Sequence, residues 1–109
     1  MEIMETFGKT TELSGKELAM IFRQGAVIRL PYLEGRLLKA REQIRRFEEK
    51  YRTTIVLLDS EGLPDDAGYE MHEDFIEWEY WNDVLRKTRS TIQNVNTLLE
   101  EAEETVGVR

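Results

Sequence analysis

The chain has 109 residues, no cysteine, one histidine and a formal net charge of −7 at pH 7. This length predicts one domain with a modest core, and 40% hydrophobic residues is too high a share for a disordered chain. The lack of cysteine excludes disulfides, thiol catalysis and zinc–thiolate sites. The longest apolar run, Ile55–Leu58, is too short to cross a bilayer, and the N-terminus lacks the basic start of a signal peptide. We therefore expect a cytoplasmic protein without a membrane partner.

The acidic residues are concentrated in the second half of the chain. Residues 53–109 contain fourteen acidic and four basic residues, whereas residues 31–52 contain seven basic and four acidic ones. Between Asp59 and Asp83, ten acidic residues and five of the ten aromatic residues occur without any Lys or Arg. Phosphate contacts need clustered cations, so nucleic acid is not an expected partner of the protein by itself. The pattern favours a localised acidic surface with aromatic side chains.

The first third of the chain contains signals for a helix start and for an interruption. Residues 1–13 alternate weakly and are predicted to be a flexible arm or a short strand. Ser14 and Glu17 have the spacing of a capping box, so a helix should begin near residue 15. Pro31 removes one helical hydrogen bond and crowds the preceding turn, which predicts a kink or a break between helices over about 15–29 and 31–52. We expect residues 14–109 to form a single helical domain.

Two heptad seams follow, separated by a loop. The first seam steps by three and four through Leu30, Leu33, Leu37, Ala40, Ile44, Phe47 and Tyr51. Thr54 can cap a short helical turn that begins at Ile55, and the glycines, proline and aspartates of residues 62–68 predict a reversing loop. The second seam includes Trp78, Trp81 and Leu85, and it predicts a helix over about 69–105 that ends near Gly107.

Two heptad helices joined by a reversing loop predict an all-α fold. The expected fold is an antiparallel, coiled-coil-like hairpin of long helices with an additional N-terminal helix. A two-helix hairpin has little interior, and four residues widen the apolar stripe of the second long helix: Phe75, Ile76, Val84 and Leu98. We therefore expect a homo-oligomer, most simply a homodimer that completes a helical bundle.

One acidic constellation resembles metal chemistry. Glu70, Glu73 and Glu77 share a helix face, and carboxylates on facing helices hold Mg²⁺ in all-helical nucleotide pyrophosphohydrolases. The first long helix offers Glu48 and Glu49 but no evenly spaced carboxylate set. We therefore expect a solvated acidic face with no metal, cofactor or catalytic residue, and a surface position for His72. A Mg²⁺-dependent hydrolase and a structural helical adaptor are the alternative functions.

The charge and aromatic patterns each allow two interpretations. The basic residues between Lys39 and Arg52 lie before the loop and the acidic block lies after it, so a hairpin would pair them within the chain, with nucleic-acid contact as the alternative. The heptad position of Trp78 predicts a core residue, whereas its charged surroundings are typical of an anchor for a partner.

The stretch from Tyr32 to Tyr51, which contains RRFEEKY, precedes an acidic loop and the segment Asp74-Phe-Ile-Glu-Trp-Glu-Tyr-Trp81. This arrangement resembles a group of small, acidic, all-helical prokaryotic proteins that are encoded beside putative toxins, the antitoxin side of toxin–antitoxin pairs. The resemblance covers roughly residues 16–102. The chain departs from the group after Tyr51, where Arg52-Thr-Thr54 replaces a glycine and a longer insert.

The resemblance implies a non-enzymatic antitoxin that binds and neutralises a cognate basic toxin, and it carries over no catalytic residue. An acidic surface with exposed aromatics can cover a cationic cleft through electrostatic steering and apolar anchoring. The predicted partner-binding residues are Asp65, Asp66, Glu70, Glu73, Asp74, Glu77, Trp78, Glu79 and Tyr80.

Overall fold

The computed structural model describes residues 13–107, and these residues form three helices without a strand. Helix α1 spans Gly15–Tyr51, α2 spans Ile55–Glu61 and α3 spans Tyr69–Val106. The long helices α1 and α3 pack against each other as a hairpin, which confirms the predicted all-α hairpin. Across residues 13–107, no helix has both the length and the apolar character that a bilayer crossing requires. The predicted arm or strand lies outside the described residues, apart from Leu13.

The helix ends follow the predicted capping signals. Ser14 Oγ accepts a hydrogen bond from the Glu17 backbone N–H at 3.1 Å, and Thr54 Oγ1 accepts one from the Leu57 N–H at 3.3 Å. Both contacts satisfy N–H groups that have no partner within their helix. Gly107 has a φ of 83° and ends α3, as expected for a residue that tolerates the left-handed region.

The predicted break at Pro31 is wrong, and the alternative of a kink within the helix stays a prediction. Residues 15–29 and 31–52 do not form two separate helices, because α1 continues through Pro31, and no separate N-terminal helix exists in the described chain. Pro31 is exposed, so its ring lies away from the packed side of the helix. That packed side keeps its spacing of three or four through this region, and burial of the seam offsets the lost hydrogen bond: Ala19, Phe22, Ala26, Leu30 and Leu33.

The chain divides into two compact units, each of which contains part of both long helices. Unit 2, Gly35–Arg89, holds the larger core cluster: Ile44, Phe47, Ile55, Leu58 and Trp78. Unit 1 comprises the residues up to Glu34 and from Ser90 onward. Its core cluster contains only Ala19 and Ala102 as buried members. The single domain over residues 14–109 stays a prediction.

Trp78 is the largest fully buried side chain among the described residues, with an exposed fraction of 0%. Its ring stacks on Phe47, with centroids 5.7 Å apart, and on Tyr51, with centroids 6.1 Å apart. Stacked aromatic pairs at these separations stabilise a core beyond the area that they bury. The heptad prediction that Trp78 is a core residue is confirmed, and the alternative that it is an exposed partner anchor is wrong.

We expect Trp78→Ala to lower the free energy of unfolding by about 3–5 kcal/mol, because it removes a buried aromatic ring and leaves a cavity. The matched control is Ile76→Ala on the same helix, where the side chain is 63% exposed. That control should change stability by no more than about 0.5 kcal/mol. Urea unfolding followed by circular dichroism measures both values. Equal losses for the two variants would contradict the assigned core.

Candidate protein-binding surface

Three of the predicted partner-binding carboxylates bind cations of α1 within the chain. Lys50 Nζ lies 2.6 Å from Asp74 Oδ2 and 2.7 Å from Glu70 Oε1. Arg46 Nη2 lies 3.4 Å from Glu77 Oε2. These contacts confirm the predicted pairing between the basic run before the loop and the acidic block after it.

Asp74 has the most enclosed position of these carboxylates, with a side chain that is 18% exposed. The Tyr51 hydroxyl donates a hydrogen bond of 2.6 Å to the same oxygen that binds Lys50. The hydrogen bonds from Lys50 and Tyr51 hold the pKa of Asp74 below its ordinary value, and Asp74 in turn raises the pKa of Lys50. Burial, followed by the bond to Asp74, raises the pKa of Tyr51. Asp74 therefore joins α1 to α3 and is not free for a partner.

A different set of side chains forms the outer face of α3. Tyr69, Glu73, Ile76 and Tyr80 follow each other at spacings of four, three and four, so they share one helix face. Tyr69 is 81% exposed, Ile76 is 63% exposed and Tyr80 is 53% exposed. Glu73 is exposed and has no ion pair among residues 13–107. We call these four residues the outer stripe.

The ring of Tyr80 has an internal support. It meets Trp81 edge to face, with centroids 5.1 Å apart and planes at 75°. Trp81 is half-buried and belongs to the aromatic core of unit 2. Contact with a packed neighbour reduces the conformational freedom that Tyr80 would lose on binding, which is the advantage of a preorganised anchor.

The remaining predicted residues lie around this stripe. Asp65 and Asp66 form the exposed turn of the loop that precedes α3. Glu79 is exposed on the flank of the stripe, on the same face as the exposed His72. The structure thus brings Glu73 and Tyr80 together on one face, places Glu79 and the loop aspartates beside it, and removes Trp78 from it.

Sequence reasoning missed Tyr69 and Ile76 as surface residues. Ile76 was predicted to widen the apolar stripe of α3, which is wrong because it faces outward. Phe75 and Leu98 are half-buried and Val84 is buried, as that prediction requires. The sequence signal that could have separated Tyr69 and Ile76 from the buried residues is a second row of side chains at spacings of four, three and four. This row runs from Tyr69 to Tyr80, on a different face of α3 from the seam that contains Trp78.

The facing helix does not supply the carboxylates that a metal-dependent hydrolase needs. The side chains of α1 that meet Glu70 and Glu77 are Lys50 and Arg46, which neutralise the acids. No group of three or more His, Cys, Asp or Glu side chains within residues 13–107 is arranged to hold a metal ion. The geometry therefore gives no support to the hydrolase alternative.

Comparisons with protein-family models, with curated proteins and with solved structures find no match to this chain.

The lowered pKa of Asp74 gives a pH dependence with a definite sign. A carboxyl whose folded pKa lies below its ordinary value of 3.8 stabilises the fold above that value, and this contribution disappears as the pH falls through the folded pKa. We expect Asp74→Asn to lower the free energy of unfolding at pH 7, and its difference from the parent chain to shrink in stronger acid.

The matched control is Asp59→Asn, because Asp59 is an exposed carboxylate of α2. This variant should leave stability nearly unchanged at both pH values. Urea unfolding at pH 7 and at pH 2.5 gives the comparison. A deficit of Asp74→Asn that is the same at both pH values would contradict the assigned contact.

Proposed function

We propose that the protein is a non-enzymatic binding module, an antitoxin that neutralises a cognate basic toxin through the outer stripe of α3. The observation that carries the proposal is the combination, on one helix face, of exposed apolar side chains and a carboxylate that has no ion pair among residues 13–107. In this proposal the protein acts in the cytoplasm, and the family resemblance supplies the class of partner.

The apolar part of the stripe provides anchors. Tyr69, Ile76 and Tyr80 lie within about three turns of the helix and expose more than half of each side chain. Tyrosine and other large side chains at the centre of an interface contribute a disproportionate share of binding energy when a partner covers them. Helix α3 holds them in fixed register, so little backbone ordering is needed on binding.

The charged part of the stripe selects a basic partner. Glu73 lies between Tyr69 and Ile76, and the exposed Glu79 and loop aspartates surround the stripe. Glu77 remains 49% exposed although it contacts Arg46. A rim of one charge around apolar anchors speeds association with an oppositely charged surface and disfavours acidic partners.

The proposal divides the predicted residues by role. The contact surface consists of Glu73, Tyr80 and Glu79 together with Asp65 and Asp66, extended by Tyr69 and Ile76. Glu70 and Glu77 lie at its inner edge, where they bind α1. Asp74 and Trp78 do not contact the partner in this proposal. They affect binding only because they fix the position of α3 against α1.

The test is co-expression with the product of the adjacent reading frame, followed by measurement of binding between the purified proteins. We expect the double variant Glu73→Lys with Tyr80→Ala to weaken binding at least about 100-fold and to restore toxicity, because it reverses one charge and removes one anchor. Its helix content by circular dichroism should match that of the parent chain.

The control for charge is Glu100→Lys, an exposed carboxylate of α3 that lies far along the helix from the stripe. This variant should retain neutralisation. Raising the ionic strength should slow association of the parent chain, because salt screens the attraction between the two surfaces. Full neutralisation by the double variant would refute the proposal.

A further inference from the structure

A second exposed apolar surface lies on α1, within unit 1. Two adjoining rows run along it at spacings of four, three and four: Met20, Gln24, Val27 and Pro31 form one row, and Ile21, Gly25, Ile28 and Tyr32 form the other. Val27 is 73% exposed and Ile28 is 79% exposed, whereas Met20, Ile21 and Tyr32 are 38–55% exposed. We call this surface the α1 face.

A groove borders the α1 face. It has a volume of about 360 Å³ and is lined by Met20, Arg23, Gln24, Val27, Leu99 and Glu103. The apolar rim residues Met20 and Val27 belong to the face itself. Ile28 follows the rim residue Val27 in sequence and does not line the groove. Helix α1 therefore supplies both one wall of a groove and an exposed side chain of a size that fits such a groove. A surface that contains both complementary parts can pair with its own copy about a two-fold axis.

The core of unit 1 is small. Its buried hydrophobic residues are Ala19, Ala26, Leu33 and Ala102, of which only Leu33 has a large side chain, and Leu18, Phe22 and Val106 are only partly buried. A pair of helices buries one side of each helix at most, and stable helical bundles cover a second side. The α1 face exposes 38–79% of each of five large apolar side chains, which supplies apolar area toward the ~800 Å² that each partner buries in a stable interface.

The charges favour a second copy as the occupant over the basic partner proposed for α3. The helical part of α1 in unit 1 carries three cations and two anions, namely Lys16, Arg23, Arg29, Glu17 and Glu34. The groove contains one charge of each sign, Arg23 and Glu103. A nearly neutral surface with a slight cationic excess does not attract a basic protein electrostatically. Association of two copies of this surface does not require either copy to carry a net charge.

Gly25 lies in the middle of the α1 face. A Cβ atom added there would meet nothing within 4 Å, so no contact among residues 13–107 requires a glycine. Glycine inside a helix costs roughly 1 kcal/mol relative to alanine. Close approach of a second helix at Gly25 would give the lack of a side chain there a structural role.

We propose that two copies of the chain associate through their α1 faces, antiparallel and centred near Gln24. This register places Ile28 of one copy at Met20 of the other and overlaps residues 14–34, which is the part of α1 that belongs to unit 1. The resulting dimer covers Ile21, Val27 and Ile28 and completes a four-helix arrangement in unit 1. The proposal is independent of the proposed function, since it uses a different face and a different partner.

The first test is the mass of the full chain in solution, measured by light scattering and sedimentation over a range of concentrations. The parent chain should have twice the mass of one chain. Ile28→Glu should raise the dissociation constant at least about 100-fold, because each interface would bury two carboxylates in an apolar contact. The matched control Leu38→Glu adds the same charge at a 57% exposed position of α1 that lies outside the face, and it should remain dimeric.

A second test uses the absence of cysteine from the parent chain. Gln24→Cys places one thiol at the centre of the proposed contact, where the two copies bring the same residue together. Mild oxidation should convert most of this variant to a disulfide-linked dimer. Ser60→Cys, at an exposed position of α2, should remain mostly uncrosslinked under the same conditions.

Three outcomes would overturn the proposal. One is a single-chain mass for the parent protein at every concentration. Another is a dimer that survives Ile28→Glu with unchanged affinity while the helix content is retained, because the contact would then use another surface. The third is a monomeric parent chain for which Ile28→Glu abolishes binding of the toxin, because the α1 face would then belong to that protein. Loss of toxin binding by the Glu73 and Tyr80 variant would leave all three measurements unaffected.

Discussion

The stacking of Trp78 on Phe47 and Tyr51 fixes which side of α3 faces α1. Each residue of an α-helix is turned by about 100° from the one before it, so residues two positions from Trp78 point away from the contact. Ile76 and Tyr80 occupy those two positions. The buried tryptophan and the exposed outer stripe are thus two consequences of one rotational setting of α3, and the proposed binding surface depends on the core residue without containing it.

The ion pairs between α1 and α3 divide the acidic block into two groups. Lys50 binds Asp74 and Glu70, and these pairs lie beside the aromatic core, where Tyr51 contributes both a ring to Trp78 and a hydroxyl to Asp74. The more exposed pairs, Lys50–Glu70 and Arg46–Glu77, contribute little stability on their own, so their main effect is to neutralise the inner edge of the block. Glu73, on the outside, keeps its charge available for a partner.

The hairpin could be predicted from the sequence because its heptad seams, caps and loop are local patterns, and each is satisfied in the structure. The break at Pro31 was predicted wrongly because a proline signal was given more weight than the seam, which continues on the side away from the ring. Trp78 could not be assigned from composition, since an acidic neighbourhood is common to cores near a surface and to binding sites. The exposure of Ile76 and Tyr69 depends on which face of α3 turns toward α1, and the packing of Trp78 defines that face.

The most direct test of the proposed binding surface is to map which backbone amides of the protein change their NMR signals when the proposed toxin partner binds. We expect changes concentrated at Tyr69–Tyr80 of α3, with the indole N–H signal of the buried Trp78 nearly unchanged. Changes concentrated on α1 between Met20 and Tyr32, or spread evenly over both long helices, would contradict the assignment of the outer stripe as the surface that binds the partner.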